Sequence, residues 1–214
     1  MRKDINDYSL YVFDLDGTLY DQPRLRLIMA VRLMMYYLVH PFSAGDLMIL
    51  QHFRKVKDKR VSGSSDDEVI KAVASDKNVD PDRVRNIVRK WIYDDPLLVI
   101  ARVKDTKIIK WMEELRAGGK KVVIFSDYPS KDKLKAMDVA VDGMYDPDDP
   151  RIDEQKPSPK GLLVIMQDTG ICAENILMNG DREEKDGMSA IAAGVDHLIL
   201  GRCVSKRKIN EKQP

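Results

Sequence analysis

Two aspartates two residues apart, Asp14 and Asp16, follow the apolar run Leu10-Tyr11-Val12-Phe13 and precede Gly17-Thr18. In a continuing strand both carboxylates would point to one side. Gly17 breaks the strand, so the pair sits where a strand stops and the chain turns. In α/β proteins ligands bind outside that end of a strand. Two carboxylates held together repel, and a cation or a proton must relieve the repulsion. The chemistry on offer is a Mg²⁺ site, an acid beside a nucleophile, or both.

Three further segments place polar groups at strand ends or helix entries. Ser126-Asp127 closes the apolar run Lys121–Phe125. A hydroxyl and backbone N–H groups at such a turn can hold a phosphate oxygen, or cap the helix that follows. Lys156 stands in Gln155-Lys156-Pro157-Ser158-Pro159, where Pro157 fixes the local path and presents the side chain. Among carboxylates and a phosphate, one lysine balances charge. Asn179-Gly180-Asp181 ends the run Ile176–Asn179, and Asp186 lies in the helix after it. Mg²⁺ takes oxygen ligands, usually a few carboxylates with water and phosphate. The same acids also suit the start of a helix.

The elements that must position these residues are short apolar runs alternating with helical patterns. Strands are expected at Leu10–Phe13, Lys121–Phe125, Ile176–Asn179 and His197–Leu200, with a weak one at Gly143-Met144-Tyr145. Helices are expected at Asp105–Ala117, Ser158–Asp168 and Glu184–Ala193, the first and last ending at glycines. A helix is also expected at Pro129–Lys135, and Asp142–Glu154 reads as a solvated acidic loop. This alternation predicts an α/β fold with a Rossmann-like parallel sheet.

Residues 20–100 break the alternation. Helices are expected at Pro23–Val39, from a Ser43 cap to about Lys57, at Asp66–Ser75, and from Asp80-Pro81 through Ile92. Ser62-Gly63-Ser64-Ser65 reads as a joint. The sequence therefore predicts a core of residues 1–19 and 101–214 with an inserted α-helical domain over 20–100. Leu25–Val39 is apolar enough to form the core of that insert, and Trp91 reads as core.

The 36 Lys and Arg against 35 Asp and Glu give a net charge of +1, which excludes a general attraction to nucleic acid or anionic membranes. The richest apolar stretch, Leu25–Val39, is interrupted by Arg26 and Arg32 and is too short to span a bilayer. Cys172 and Cys203 have no metal or redox spacing, and no apolar run long enough for a secretory signal is read after Met1-Arg2-Lys3-Asp4. A cytoplasmic protein is expected, monomeric or homodimeric. The tail Ser205–Pro214 is polar and reads as frayed.

The order Asp-x-Asp, Ser, Lys, then Gly-Asp with a second Asp five residues on resembles the haloacid dehalogenase (HAD) superfamily of phosphohydrolases, over residues 10 to about 201. The insert looks like that family's helical cap in its C1 position. The resemblance implies Asp14 as the nucleophile and Asp16 as the general acid and base. It implies Mg²⁺ as cofactor, held by Asp14, the Asp16 backbone carbonyl and Asp181, with Asp186 helping directly or through water. Ser126, backbone amides near Asp127, and Lys156 would cradle the phosphoryl oxygens, and Thr18 would support the loop. The dehalogenase branch lacks an acid where Asp16 stands, so the resemblance implies hydrolysis of a small soluble phosphomonoester. A mutase of the β-phosphoglucomutase type and a non-catalytic module keeping the fold are the alternatives. Two positions depart from the family's habit. Arg182 stands where many relatives carry a small residue, and Asp127 stands where Asn is frequent.

Overall fold

The structure, a computed structural model, describes residues 3–41, 45–59 and 66–201. The expected Ser43 cap, the Ser62–Ser65 joint, Cys203 and the Ser205–Pro214 tail lie outside them. The chain divides into two compact units, Met1–Gln22 with Arg102–Pro214, and Pro23–Ala101.

Among the described residues the first unit carries a parallel five-stranded sheet. Its strands are β1 (Leu10–Phe13), β2 (Lys121–Phe125), β3 (Gly143–Tyr145), β4 (Ile176–Gly180) and β5 (Asp196–Ile199). They lie in the order β3-β2-β1-β4-β5. The chain winds outward from β1 through β2 to β3, then returns to pair β4 on the other side of β1. The strand order therefore reverses between β1 and β4, the place where such sheets bind ligands. Leu10 to Phe13 are all buried, because both faces of the sheet are covered. Leu10 and Val12 pack with Val123, Phe125, Leu162, Ile165 and Met178. On the opposite face Tyr11 and Phe13 meet Trp111 edge-on, at ring separations of 6.1 and 5.2 Å. Trp111 belongs to the helix Thr106–Ala117, where Ile108, Ile109, Met112 and Leu115 share the buried side. Asp105 opens that helix, its carboxylate accepting from the amides of Lys107 and Ile108 at 3.0 and 3.3 Å.

The second unit is helical, with helices at Gln22–Val39, Gly45–Lys59, Asp66–Lys77, Pro81–Val88 and Asp95–Ile100. Its core is Ile49, Leu50 and Phe53 against Val69, Ile70, Val73 and Ala74, closed by Val84, Ile87, Val88 and Trp91. The helix opened by Asp80-Pro81 changes at Arg89 into a π-helical stretch, Arg89–Asp94, before Asp95–Ile100 resumes. Pro96 explains the widening, because it has no N–H to return to the previous turn.

Two expectations need correction. The first is Leu25–Val39 as the core of the insert. Only Leu25 and Tyr37 of that helix are buried, with Met29, Leu33 and Tyr36 partly covered. Leu27, Val31, Met34, Met35, Leu38 and Val39 are exposed. A helix apolar on every side can turn only one side inward, and the shorter helices after it supply the core. The second is the solvated loop Asp142–Glu154, which holds for the exposed Asp142, Asp148, Asp153 and Glu154 but not throughout. Asp146 and Ile152 are buried there. Asp146 accepts from the Ser130 amide at 2.8 Å, and Asp142 pairs with Arg116 at 3.0 Å.

Candidate active site

The polar groups converge at the carboxyl ends of β1, β2 and β4. The register sets Phe13 of β1 between Ile124 of β2 and Asn179 of β4. Asp14 is then the first residue past the strand, its amide donating to the Asn179 carbonyl at 2.8 Å. Gly17 adopts a φ of +100°, which bends the chain back over β4. A methyl group there would come within 2.6 Å of Asp181 Oδ2, so only glycine lets the loop reach the end of β4. Leu19 and Asp105 then run side by side, the Asp105 amide donating to the Leu19 carbonyl at 2.7 Å, and Tyr20 bridges Lys104.

Asp14 is held from both sides. Lys156 Nζ donates to Oδ1 at 2.5 Å, and Thr18 Oγ1 donates to Oδ2 at 3.1 Å. The same ammonium reaches Asp186 Oδ1 at 2.6 Å and the Phe125 carbonyl at 3.2 Å. Asp14, Lys156 and Asp186 are all buried. Burial pushes the Asp14 carboxyl up to about 7; Asp186 and Asp16 add to the rise and Lys156 opposes it. For Lys156, burial works against the charge, but Asp14 and Asp186 overcome it and hold the ammonium above its ordinary range. Both shifts describe a buried lysine that stays charged because two carboxylates surround it.

Asp14, Asp181 and Asp186 each offer an oxygen, and these atoms lie within 4.8 Å of one another. Three convergent carboxylates are a hard, oxygen-only donor set, which fits Mg²⁺. Asp186 is aimed by a π-helical turn, Glu183–Gly187, where an unbroken helix from Glu184 was expected. Its Oδ2 accepts from the Arg182 amide at 3.1 Å. Arg182 thus contributes its backbone, while its guanidinium turns to Glu184 at 2.9 Å.

A family model for haloacid dehalogenase-like hydrolases matches residues 8–194. The chain belongs to this family. Among curated proteins, none matches it at a significant level. Solved structures share the HAD fold. A 2-haloacid dehalogenase from Pseudomonas syringae pv. Tomato DC3000 aligns with a TM-score of 0.64 at 15% identity, over 90% of this chain and 86% of that one. A magnesium-bound candidate HAD hydrolase, YfnB from Bacillus subtilis, gives 0.60 at 16%, over 90% and 88%. A predicted phosphoglycolate phosphatase from Haemophilus somnus 129pt gives 0.54 at 18%, over 92% and 86%. Their descriptions span dehalogenase and phosphatase, so the HAD-like hydrolase class is shared and the substrate is not decided by resemblance.

The remaining HAD motif residues divide. Ser126 is buried at the end of β2, and its Oγ accepts from the Tyr128 amide at 3.2 Å. Asp127 neither points outward nor caps the next helix. Its Oδ1 accepts from the Lys156 amide at 2.9 Å, and its Oδ2 meets Lys185 at 2.7 Å. A carboxylate only accepts hydrogen bonds, so Asp127 has its backbone N–H, not its side chain, to offer a phosphate. Its side chain anchors the loop that presents Lys156. Asp16 lies outside the three convergent acids. Its carboxylate takes Lys133 Nζ at 2.6 and 2.9 Å and the Tyr20 hydroxyl. Lys133, Lys185 and Tyr20 were missed by the sequence reading. Tyr20 stands four residues after Asp16, which is a usable signal. Lys133 and Lys185 arrive from distant segments whose placement only the sheet order reveals.

Proposed function

We propose that this HAD-like hydrolase is a Mg²⁺-dependent phosphatase that cleaves a small phosphomonoester through an aspartyl-phosphate on Asp14. The observation that carries the reading is Asp16, a carboxyl group two residues from Asp14 yet apart from the three acids suited to the cation. Carbon–halogen cleavage has no alkoxide to protonate, whereas release of an alcohol from phosphate does.

In this reading an Asp14 oxygen attacks phosphorus and the ester P–O bond breaks. The departing alkoxide takes its proton from Asp16. Water then attacks phosphorus, gives a proton to Asp16, and the acyl-phosphate bond breaks to restore Asp14 and release inorganic phosphate. Thr18 orients the Asp14 carboxylate for attack. Lys156, Ser126 and backbone amides at residues 15–17 and 127 hold the phosphoryl oxygens. Asp14, Asp181, Asp186 and the Asp16 carbonyl would hold Mg²⁺, which would supply neutralisation of phosphate charge. The helical unit Pro23–Ala101 is proposed as the cap that selects the alcohol portion, and the cytoplasm as the location.

A screen of metabolite phosphomonoesters with Asp14→Asn as control tests the reading. Phosphate release that is abolished by the substitution and by EDTA supports it. Interconversion of sugar phosphates without net release would make the enzyme a mutase. Release of halide, with no phosphate released from any ester, would overturn the reading.

A further inference from the structure

The roles proposed above leave one group of residues unused: Lys133 and Tyr20, both aimed at Asp16. Lys133 Nζ spans both Asp16 oxygens, and the Tyr20 hydroxyl donates to Oδ1. These are not flexible surface contacts. The Lys133 side chain is 24% exposed and that of Asp16 12%, and Tyr20 is buried.

The supports of the two donors are themselves joined. Lys133 sits on the helix Lys131–Met137, which turns Leu134 and Met137 into the core. Ser130, just before that helix, is fixed to Asp146 through its amide and its hydroxyl. At the far end, Lys104 Nζ donates to the Met137 carbonyl at 2.8 Å. Lys104 is in turn the bridge partner of Tyr20. Asp16, Lys133, the helix, Lys104 and Tyr20 therefore form a closed ring of contacts. The Lys133 ammonium also lies 5.6 Å from the centre of the Tyr128 ring, which steadies its stem.

Asp16 stands two residues from Asp14, close to three acids that suit a cation. A loose carboxylate there would be drawn to the same cation. We propose that Lys133, with Tyr20, is a positioning residue for Asp16. The pair holds the carboxylate at the leaving-group side of the phosphoryl site and keeps it out of the metal cluster. The role rests on the phosphatase reading; the contact itself does not.

The test is a double-substitution cycle of Lys133→Met with Asp16→Asn, on a simple alkyl phosphate and on p-nitrophenyl phosphate. The nitrophenolate leaves without being protonated, so its pre-steady-state burst does not need a placed acid, whereas later turnovers still draw on Asp16 as the base for water. Lys133→Met is expected to lower kcat on the alkyl ester about 10- to 100-fold with KM nearly unchanged. It is expected to spare the pre-steady-state burst from p-nitrophenyl phosphate, to add no loss in the Asp16→Asn background, and to be partly rescued by Lys133→Arg. A p-nitrophenolate burst slowed as much as alkyl-ester turnover, or a loss that persists without Asp16, would overturn the proposal. If the wild-type protein releases phosphate from no ester, the phosphatase reading falls on its own. The clamp is then judged by the unfolding midpoints of the same four proteins. Non-additive shifts support a Lys133–Asp16 coupling, and additive shifts overturn it.

Discussion

Replacing Lys156 by Met should turn the centre of the site from its most satisfied feature into its most unstable one. The ammonium lies 2.5 Å from Asp14 and 2.6 Å from Asp186. Its side chain and that of Asp186 are each 2% exposed, and that of Asp14 is 8% exposed. Methionine fills similar space but leaves two buried carboxylates facing each other without a cation. Removing one partner of a buried ion pair costs about 3–5 kcal/mol. For a protein of this size each kcal/mol moves the midpoint about 2–4 °C, so the loss is roughly 6–20 °C. The pH dependence has a definite sign. The Asp14 carboxyl is already raised to about 7 from an ordinary 3.8, so the folded state takes up a proton more readily than the unfolded chain. Stability from this group is therefore full below about pH 4 and is lost as pH rises toward 7. Without Lys156 the carboxyl is raised further, which extends that loss to higher pH. The deficit of the variant should be small at pH 5 and large at pH 8. Thermal unfolding in EDTA at the two pH values measures it, and added Mg²⁺ should recover part of the loss at pH 8. Equal midpoints for variant and wild type at pH 8 in EDTA would refute the charge-balance argument.

Other perturbations follow from the same geometry. Gly17→Ala forces an L-residue to a φ of +100° and drives a methyl group against Asp181. It should cost about 1–2 kcal/mol from the backbone alone, and calorimetry should show weaker Mg²⁺ binding. Gly161→Ala places its new methyl group against the Phe125 ring, with Cδ2 at 3.1 Å and other ring atoms closer. Urea unfolding should register about 1–3 kcal/mol of overpacking. Asp142 is held below the ordinary carboxylate range because the Arg116 hydrogen bond and the Val122 amide outweigh the cost of burial. Its contribution is present above about pH 4 and is lost as pH falls through the lowered value. An Asp142→Asn variant should be less stable than wild type at pH 7 and should converge with it in acid unfolding curves.

What the sequence made legible was local. β1, β2 and β4 are short buried runs ending in polar residues, and that pattern needs no tertiary information. Asp14, Asp181, Asp186 and Lys156 stood out because each ends a strand or enters a helix in a recognisable order. The structure brings these four side chains together. The less legible parts depend on distant partners. Ser126-Asp127 reads locally as a phosphate-holding turn or a helix cap, but Lys185 and the Lys156 amide claim the Asp127 side chain from elsewhere in the chain. Leu25–Val39 carried enough apolar residues for a core, yet composition cannot say which side of a helix its neighbours cover. Asp146 was lost among the acids of its loop because nothing near it in sequence announces Ser130. The π-helical turn that aims Asp186 has no pattern of its own; it follows from the contacts at both of its ends.

The central claim is that Asp14 carries the phosphoryl group. Acid quenching of the enzyme during turnover of a phosphomonoester found by the screen, followed by peptide mass spectrometry, tests it directly. The account predicts a phosphoryl adduct on the peptide containing Asp14, lost in Asp14→Asn together with phosphate release. Steady phosphate release with no adduct at Asp14, or an adduct on another residue in both proteins, would contradict it.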